Sequence, residues 1–474
     1  MNETMRDRRI LVFGLGESGY AMARWCVRQG AEVIVCDTRP APPYLDRLRA
    51  ELPKVSWIST PFDERFDKRL LAGIDRLALS PGLSPGLMAV LQARACGIEV
   101  VSELALFAEA LIMFGERQRC RIVAITGTNG KTTTTALTGA LGRAAGRHTA
   151  VAGNISPSLL SALMRHLDAG RLPELWALEL SSFQLELPHA LAADAATVLN
   201  LSADHLDRYI DLDEYAQAKA GIFSGDGAQV LNRQDERVRA MALPGRRIIT
   251  FGSDAPADEL DFGLRPNRGE AWIVQGDRFL LPCSQLGLHG QHNALNAMAA
   301  LALLQALDIA PFGLMPALRA FTALPHRVET IAVIDGVRYI DDSKGTNVGA
   351  TEAAIAGLGQ PAVVILGGDG KGQDFSPLRD AIATHARAVV LIGRDGPRIA
   401  AALAGCGVPI ETASDLPAAV RQAAAFAQPG DAVLLSPACA SFDMFRDYQH
   451  RAEVFRAAVR ALDEHRSAAR ERQQ

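Results

Sequence analysis

Arg121-Ile-Val-Ala-Ile-Thr-Gly-Thr-Asn-Gly-Lys-Thr-Thr-Thr-Thr135 is the stretch whose reading decides the fold. Ile122 to Ile125 is a short apolar, partly β-branched run, which reads as a buried strand. Thr126 to Gly130 is a glycine-bearing turn. From Lys131 the apolar positions Ala136, Leu137, Ala140 and Leu141 recur at helical spacing. Strand, glycine loop, Lys-Thr and helix together make a cradle for phosphate. Glycines let backbone N–H groups approach an oxyanion, and the helix N-terminus adds its positive dipole end. Lys131 is expected to reach terminal phosphates and the Thr132 hydroxyl to face a Mg²⁺. Ile125 stands where the full P-loop pattern has its first glycine, so the loop is a shortened variant. An ordinary strand-to-helix turn would leave Lys followed by four threonines unexplained. The loop implies a nucleoside triphosphate and says nothing about its use.

At 474 residues the chain has room for two to four domains. Its 49% hydrophobic and 22% charged content is ordinary for a globular protein with a large core. A net charge of −4 gives no reason to expect nucleic-acid or membrane binding. Seven cysteines without a C-x-x-C pair argue for a reducing cytoplasm and against disulfides or zinc. Met1 to Arg9 is polar, and the apolar stretch Leu104 to Phe114 is broken by Glu109 and too short to span a bilayer. The basic residues Arg466, Arg470 and Arg472 read as a solvated, frayed tail.

Upstream, residues 1–112 read as one domain. Arg9-Ile-Leu-Val-Phe-Gly-Leu-Gly-Glu-Ser-Gly19 is a strand entering G-x-G-x-x-G, followed by a helix from Tyr20 to Gln29. A second strand, Glu32 to Asp37, ends in an acid close to the expected distance of about 20 residues. Taken alone this unit fits NAD. The physics supports a diphosphate at a helix N-terminus, with Asp37 bonding whatever the diphosphate carries. Leu77-Ala-Leu-Ser-Pro-Gly82 is a strand ending in a Ser-Pro-Gly loop, where α/β sheets bind ligands.

Downstream, residues 113–323 read as a middle domain and 324–474 as a last one. In the middle domain the strands end in Gly-Asn154, in Glu179 before Ser181 and Gln184, and in Asn200 before Asp204 and His205. Polar strand ends after a Gly-Lys-Thr loop suit Mg-ATP, because Mg²⁺ on a phosphate needs only one or two protein ligands. Lys219, in a helix from Asp213 to Phe223, reads on its residues alone as a surface lysine. Asn293 and Asn296 could reach a base edge, or Asn293 could cap its helix. The last domain repeats the strand–loop–helix order. Its loops hold Asp342, Lys344, Thr346 and Asn347, then Lys371, then Cys439, Ser441 and Phe442. Cys439 reads as a small buried residue rather than a nucleophile.

Together, Gly-Thr-Asn-Gly-Lys-Thr, Glu-Leu-Ser-Ser-Phe-Gln, Asn-Leu-Ser-Ala-Asp-His, Gln-His-Asn and Leu-Pro-His-Arg closely resemble the bacterial Mur ligases, the ATP-dependent amino-acid ligases of peptidoglycan synthesis. A narrower likeness to the D-glutamate-adding branch rests on Gly14 to Gly19 with Asp37-Thr-Arg39, Ser-Pro-Gly82, Asp342 to Asn347 and Ser436 to Asp443. From Pro256 to Cys283 only a length-variable region is recognisable. The resemblance implies a three-domain α/β fold: a Rossmann-like domain, a P-loop ATPase-like parallel-sheet domain and a second Rossmann-like domain. It implies the substrates UDP-MurNAc-L-Ala, D-glutamate and ATP, two Mg²⁺ ions, and a monomer without nucleic-acid partner or membrane insertion.

By similarity, Gly127, Thr128, Asn129, Gly130, Lys131, Thr132 and Thr133 would bind ATP with Asn293, Asn296, Arg327 and Asp342. Thr132, Glu179, His205 and Lys219 would serve the metals, with Lys131, His205 and Lys219 catalytic. Lys219 matches the family's carbamylated lysine. A carbamate turns a cation into an anionic oxygen ligand, and burial favours the neutral amine it forms from. The UDP substrate would meet Gly16, Glu17, Ser18, Asp37, Thr38, Arg39, Ser80, Pro81, Gly82, Asn154, Ser181 and Gln184. D-glutamate would meet Lys344, Thr346, Lys371, Ser441 and Phe442.

Overall fold

The computed structural model describes residues 5–288, 290–322 and 324–471. The fold is the expected three-domain α/β arrangement, built on three sheets. Two compact units contain them. One takes the chain up to Leu201, then Asp213–Pro282 and Asn296–Leu318. The other takes Ser202–Leu212, Cys283–Leu295 and the chain from Arg319 on.

The first unit holds two sheets. The N-terminal one is five-stranded and parallel, in the order Ser56–Ser59, Glu32–Asp37, Arg9–Phe13, Arg76–Leu79, Glu99–Val101. Its strand order reverses beside Arg9–Phe13, the position where such sheets open a ligand crevice. The helix after Phe13 spans Glu17–Arg28, starting three residues before the expected Tyr20. The apolar period begins at Tyr20, whereas the first turn is small and polar. Gly19 is required there, because a Cβ on it would lie 1.9 Å from the Gly14 carbonyl oxygen. Glu109, which interrupts the apolar helix Glu103–Met113, takes two hydrogen bonds from the buried Arg76, at 2.9 and 2.6 Å.

The second sheet has nine strands. Within it the strand Arg121–Thr126 lies between Ala195–Val198 and Leu175–Glu179, all parallel. Both neighbours are buried along their length, as parallel strands with covered faces must be. Residues 256–283, recognisable in the sequence only as a length-variable region, carry three antiparallel strands, Phe262–Asn267, Glu270–Gln275 and Arg278–Pro282. Two-residue turns with positive φ at Arg268, Gly269 and Gly276 join them. One apolar core runs through both domains of this unit, with Phe107 edge-on to Trp176 at 5.2 Å.

The second unit carries a six-stranded sheet in the order Glu329–Ile334, Val337–Asp341, Ala432–Leu435, Ala362–Gly367, Ala386–Ile392, Ile410–Thr412. Apolar clusters cover both of its faces. The expected frayed tail is instead the end of a helix, Tyr448–Glu471. Phe455 and Val459 are buried in the core, and Arg466 pairs with Asp335 at 2.7 Å. Arg472 and the side chain of Arg470 lie outside the described residues. Among the described residues no helix is long and apolar enough to cross a membrane.

Candidate active site

The phosphate loop follows directly from the central strand. The helix Lys131–Ala144 begins at Gly130, whose φ of +82° is a left-handed conformation suited to glycine. A Cβ there would also lie 2.3 Å from Asn296 Oδ1. Lys131 folds back over the loop, its ammonium donating to the Gly127 and Thr128 carbonyls at 2.8 Å each. Asn200, expected only as one of the polar strand ends that suit Mg-ATP, clamps the loop from the next strand. Its Oδ1 accepts from the Asn129 N–H at 2.8 Å and its Nδ2 donates to the Asn129 carbonyl at 3.1 Å. Its place at a strand end beside the loop was the available signal. Asn296 accepts from the Thr134 hydroxyl at 3.3 Å. Asn293 lies inside the first turn of the helix Gln291–Ala306, which removes the N-cap alternative for it.

Beside the loop, Glu179 and Lys219 are each 1% exposed and Thr132 is 5% exposed. Glu179 Oε1 accepts from Asn154 Nδ2 at 2.7 Å, while its Oε2 is buried with no hydrogen-bond partner. A buried carboxylate oxygen left in that state is costly unless a cation meets it. The Glu179 oxygen therefore fits a hard cation as its partner. Lys219 Nζ lies 3.1 Å from the Gly127 carbonyl and 3.4 Å from Thr126 Oγ1, over the Tyr215 ring at 4.5 Å. The surface-lysine reading fails: the side chain is in the interior, against the loop.

Every residue expected on the UDP substrate lines one cleft of about 530 Å³. Asp37 lies at its base. Burial pushes its carboxyl up, but the Arg39 side chain and backbone and the Leu15 N–H outweigh burial and hold it below the usual carboxylate range. Leu15 N–H donates to Oδ2 at 2.7 Å, and Arg39 donates to both oxygens at 2.7 to 2.9 Å. Asp37 thus orients Arg39 as well as fixing the glycine loop. Glu17 also turns to protein partners, accepting from Ser156 Oγ at 2.9 Å and the Ser158 N–H at 3.0 Å. An acid beside a diphosphate would repel it, and these bonds draw the carboxylate to the neighbouring helix. Ser181 and Gln184 form a capping box on their own short helix.

In the second unit Asp204 is 5% exposed and gathers two candidates, His205 and Lys371, together with Asn347. Its carboxylate accepts from the His205 N–H at 2.9 Å, Asn347 Nδ2 at 3.4 Å and Lys371 Nζ at 3.5 Å. The sequence offered Asp204, with His205, among the polar strand ends suited to Mg-ATP, and Asn347 only as a loop polar. Asp342 accepts from the Ser436 hydroxyl at 2.7 Å. Burial pushes its carboxyl up to about 7, against the opposing pull of Ser436 and Arg327. Lys344 lies over the Tyr448 ring at 5.2 Å. Ser441 is buried, and Phe442 is 73% exposed. Burial pushes the Cys439 thiol up to about 12, which excludes it as a nucleophile at neutral pH.

The leading turn of this unit is held by a further cluster. His326 Nδ1 lies 2.8 Å from Asp341 Oδ2, and Arg456 donates to Glu329 at 2.5 Å and to Asp341 at 3.2 Å. His326 and Val328 both have positive φ, +63° and +49°, and flank Arg327. The carboxylates here are already answered by Arg456, so the cluster is an ion-pair network that fixes the turn.

Three family descriptions match the chain: the N-terminal domain of MurD-like Mur ligases over residues 8–102, the Mur ligase middle domain over 125–304, and the Mur ligase glutamate ligase domain over 326–439. The UDP-N-acetylmuramoylalanine–D-glutamate ligase of Aromatoleum aromaticum is 58% identical over 467 residues, 98% of this chain and 99% of that protein. The ligase of the same name from Thiobacillus denitrificans is 53% identical, covering 97% of each chain. Among solved structures, the UDP-N-acetylmuramate–alanine ligase MurC of Thermotoga maritima aligns with a TM-score of 0.61 over 96% of this chain and 99% of that one. At 19% identity that likeness speaks for the fold. On the near full-length identity and the matches in all three domains, the chain belongs to the Mur ligase family, on its MurD-like branch.

Proposed function

We propose that this chain is an ATP-dependent ligase that joins D-glutamate to UDP-N-acetylmuramoyl-L-alanine in peptidoglycan precursor synthesis. The observation that carries this reading is 58% identity, along 98% of the chain, to a protein named for that activity. ATP use comes with membership of the family. The cleft that gathers Gly16 to Ser18, Asp37 to Arg39 and Ser80 to Gly82 supports a nucleotide-diphosphate substrate rather than NAD, since Asn154, Ser181 and Gln184 of the catalytic domain line it too.

In this reading the substrate carboxylate attacks the γ-phosphorus of ATP, and the bond to the β-phosphate oxygen breaks to release ADP. The D-glutamate amine then attacks the carbonyl carbon of the acyl phosphate. The C–O bond breaks, phosphate leaves, and the amine loses a proton to form the amide. Two anions must meet in the first step. Lys131 would swing from the Gly127 and Thr128 carbonyls to the phosphates, with the loop N–H groups and the helix N-terminus behind it. Glu179 and Thr132 would hold Mg²⁺, which supplies charge neutralisation at the phosphate oxygens. Lys219, carbamylated, would add an anionic oxygen beside Glu179. Arg327, Asp342, Asn293 and Asn296 would complete the ATP contacts, and His205 a second metal. Lys344, Thr346, Lys371, Ser441 and Phe442 would hold the two D-glutamate carboxylates and the backbone between them.

Phosphate release tests the reading. It should require ATP, Mg²⁺, UDP-N-acetylmuramoyl-L-alanine and D-glutamate together. Release that continues at the full rate when either acceptor or amino acid is left out would contradict it.

A further inference from the structure

We propose that Arg451 is a positioning residue for D-glutamate: it fastens the Asp342–Lys344 loop to the Cys439–Phe442 loop and sets a buried positive charge behind both. The inference rests on the reading of those loops as the D-glutamate site. Arg451 lies on the C-terminal helix and is fully buried, at 0% exposure. Its Nε donates to Ser343 Oγ at 3.0 Å, its Nη2 to the Ser343 carbonyl at 2.7 Å, and its Nη1 to the Cys439 carbonyl at 3.1 Å. One planar fork therefore spans the two loops, from the residue next to Lys344 to the residue two before Ser441.

The same helix turn adds two contacts to the first loop. Ser343 Oγ donates to the Tyr448 carbonyl at 2.8 Å, and the Lys344 ammonium lies over the Tyr448 ring. The loop is thus held to Tyr448 and Arg451, one turn apart on one helix face.

All three acceptors of the guanidinium are neutral oxygens. Burial lowers its affinity for the proton to a pKa of about 10, opposed by Cys439 and then by Asp443, Asp341 and Asp342 at longer range. It is a cation at neutral pH without a carboxylate bonded to it among the described residues. Keeping a charge in the interior carries a desolvation cost that three neutral acceptors only partly offset. What the cation adds is specific. It fixes three loop oxygens in one plane, which an ammonium cannot do. Through a low-dielectric interior it also makes the region of Lys344 and Ser441 more positive. A ligand with two carboxylates is the chemistry that such a field favours.

Steady-state kinetics of Arg451→Lys and Arg451→Met, with each of the three substrates varied in turn, test this. The KM for D-glutamate should rise about tenfold or more in both variants, since Lys keeps the charge but not the fork. The KM values for ATP and the UDP substrate should stay within about twofold. Arg451→Met should also melt lower, because the buried Ser343 and Cys439 oxygens lose their donors, so the split among the three KM values is what decides. An unchanged D-glutamate KM in both variants overturns the proposal. So does an equal rise in all three KM values, which is the mark of a merely structural residue. If Arg451→Met does not fold, Arg451→Lys decides by the same criterion. An unaltered enzyme that does not use D-glutamate overturns both this proposal and the functional reading beneath it. Normal D-glutamate turnover with indifferent variants overturns this proposal alone.

Discussion

Lys219 is the residue at which sequence and structure differ most. Nothing in Asp213-Glu-Tyr-Ala-Gln-Ala-Lys distinguishes a buried lysine from a solvated one, and family resemblance alone argued for the former. The side chain lies against the phosphate loop, 3.1 Å from the Gly127 carbonyl. Lys219→Ala should therefore lower turnover about a hundredfold or more while leaving the circular dichroism spectrum unchanged. Near-normal turnover in that variant would leave the lysine a packing residue. Asp342 gives a second prediction, in pH. Its folded pKa is raised, so its contribution to stability is present in full below the unfolded value and is lost as pH rises through about 7. Asp342→Asn removes that loss. The variant should melt above the unaltered protein at pH 8.5 by an amount on the order of 4 kcal/mol in stability, and the two should converge only below about pH 4. A melting difference that is the same at both pH values would refute this.

At the scale of elements, legibility followed periodicity. The central strand, its loop and the helix from Lys131 were readable because four consecutive apolar residues meet a glycine turn and a helical repeat. The edge hairpins of residues 262–282 were missed, although Arg268-Gly269 and Gly276-Asp277 are two-residue turns between β-rich runs. Pro266 inside the first run concealed it, and a proline is tolerated there because the strand belongs to the sheet's antiparallel edge. The C-terminal helix was missed for another reason. Its apolar positions Ala452, Phe455 and Val459 keep helical spacing, but arginines and glutamates between them give the stretch the composition of a tail. Its two inward arginines, Arg451 and Arg456, were legible as charges and not as struts. The phosphate loop carries an element-scale prediction. Gly130→Ala forces an L side chain into φ +82° and against Asn296 Oδ1. It should cost about 1 kcal/mol or more locally and weaken ATP binding well before it lowers the melting temperature much. Unaltered nucleotide affinity, read by calorimetry, would mean the loop does not hold the phosphates as described.

On the whole-molecule scale, the first two domains work as one body. They share an apolar core, and both line the candidate UDP cleft. Glu103 ties them below that cleft: it is fully buried and accepts from the Leu160 N–H at 2.9 Å, on the first turn of a middle-domain helix. Such a link joins residues 57 apart in sequence, and no local pattern reveals it. The candidate UDP residues were legible one by one as motifs, whereas their convergence on a single cleft required the sheets. In the proposed function the last domain's loops would carry the amino-acid choice, with Lys344, Lys371 and buried Ser441 meeting a substrate of defined hand. The account therefore turns on stereochemistry as much as on ATP. The most direct measurement is phosphate release with ATP, Mg²⁺ and UDP-N-acetylmuramoyl-L-alanine, with D-glutamate compared against L-glutamate and meso-diaminopimelate at equal concentration. The account predicts turnover with D-glutamate alone among the three, and equal turnover with either of the others would contradict it.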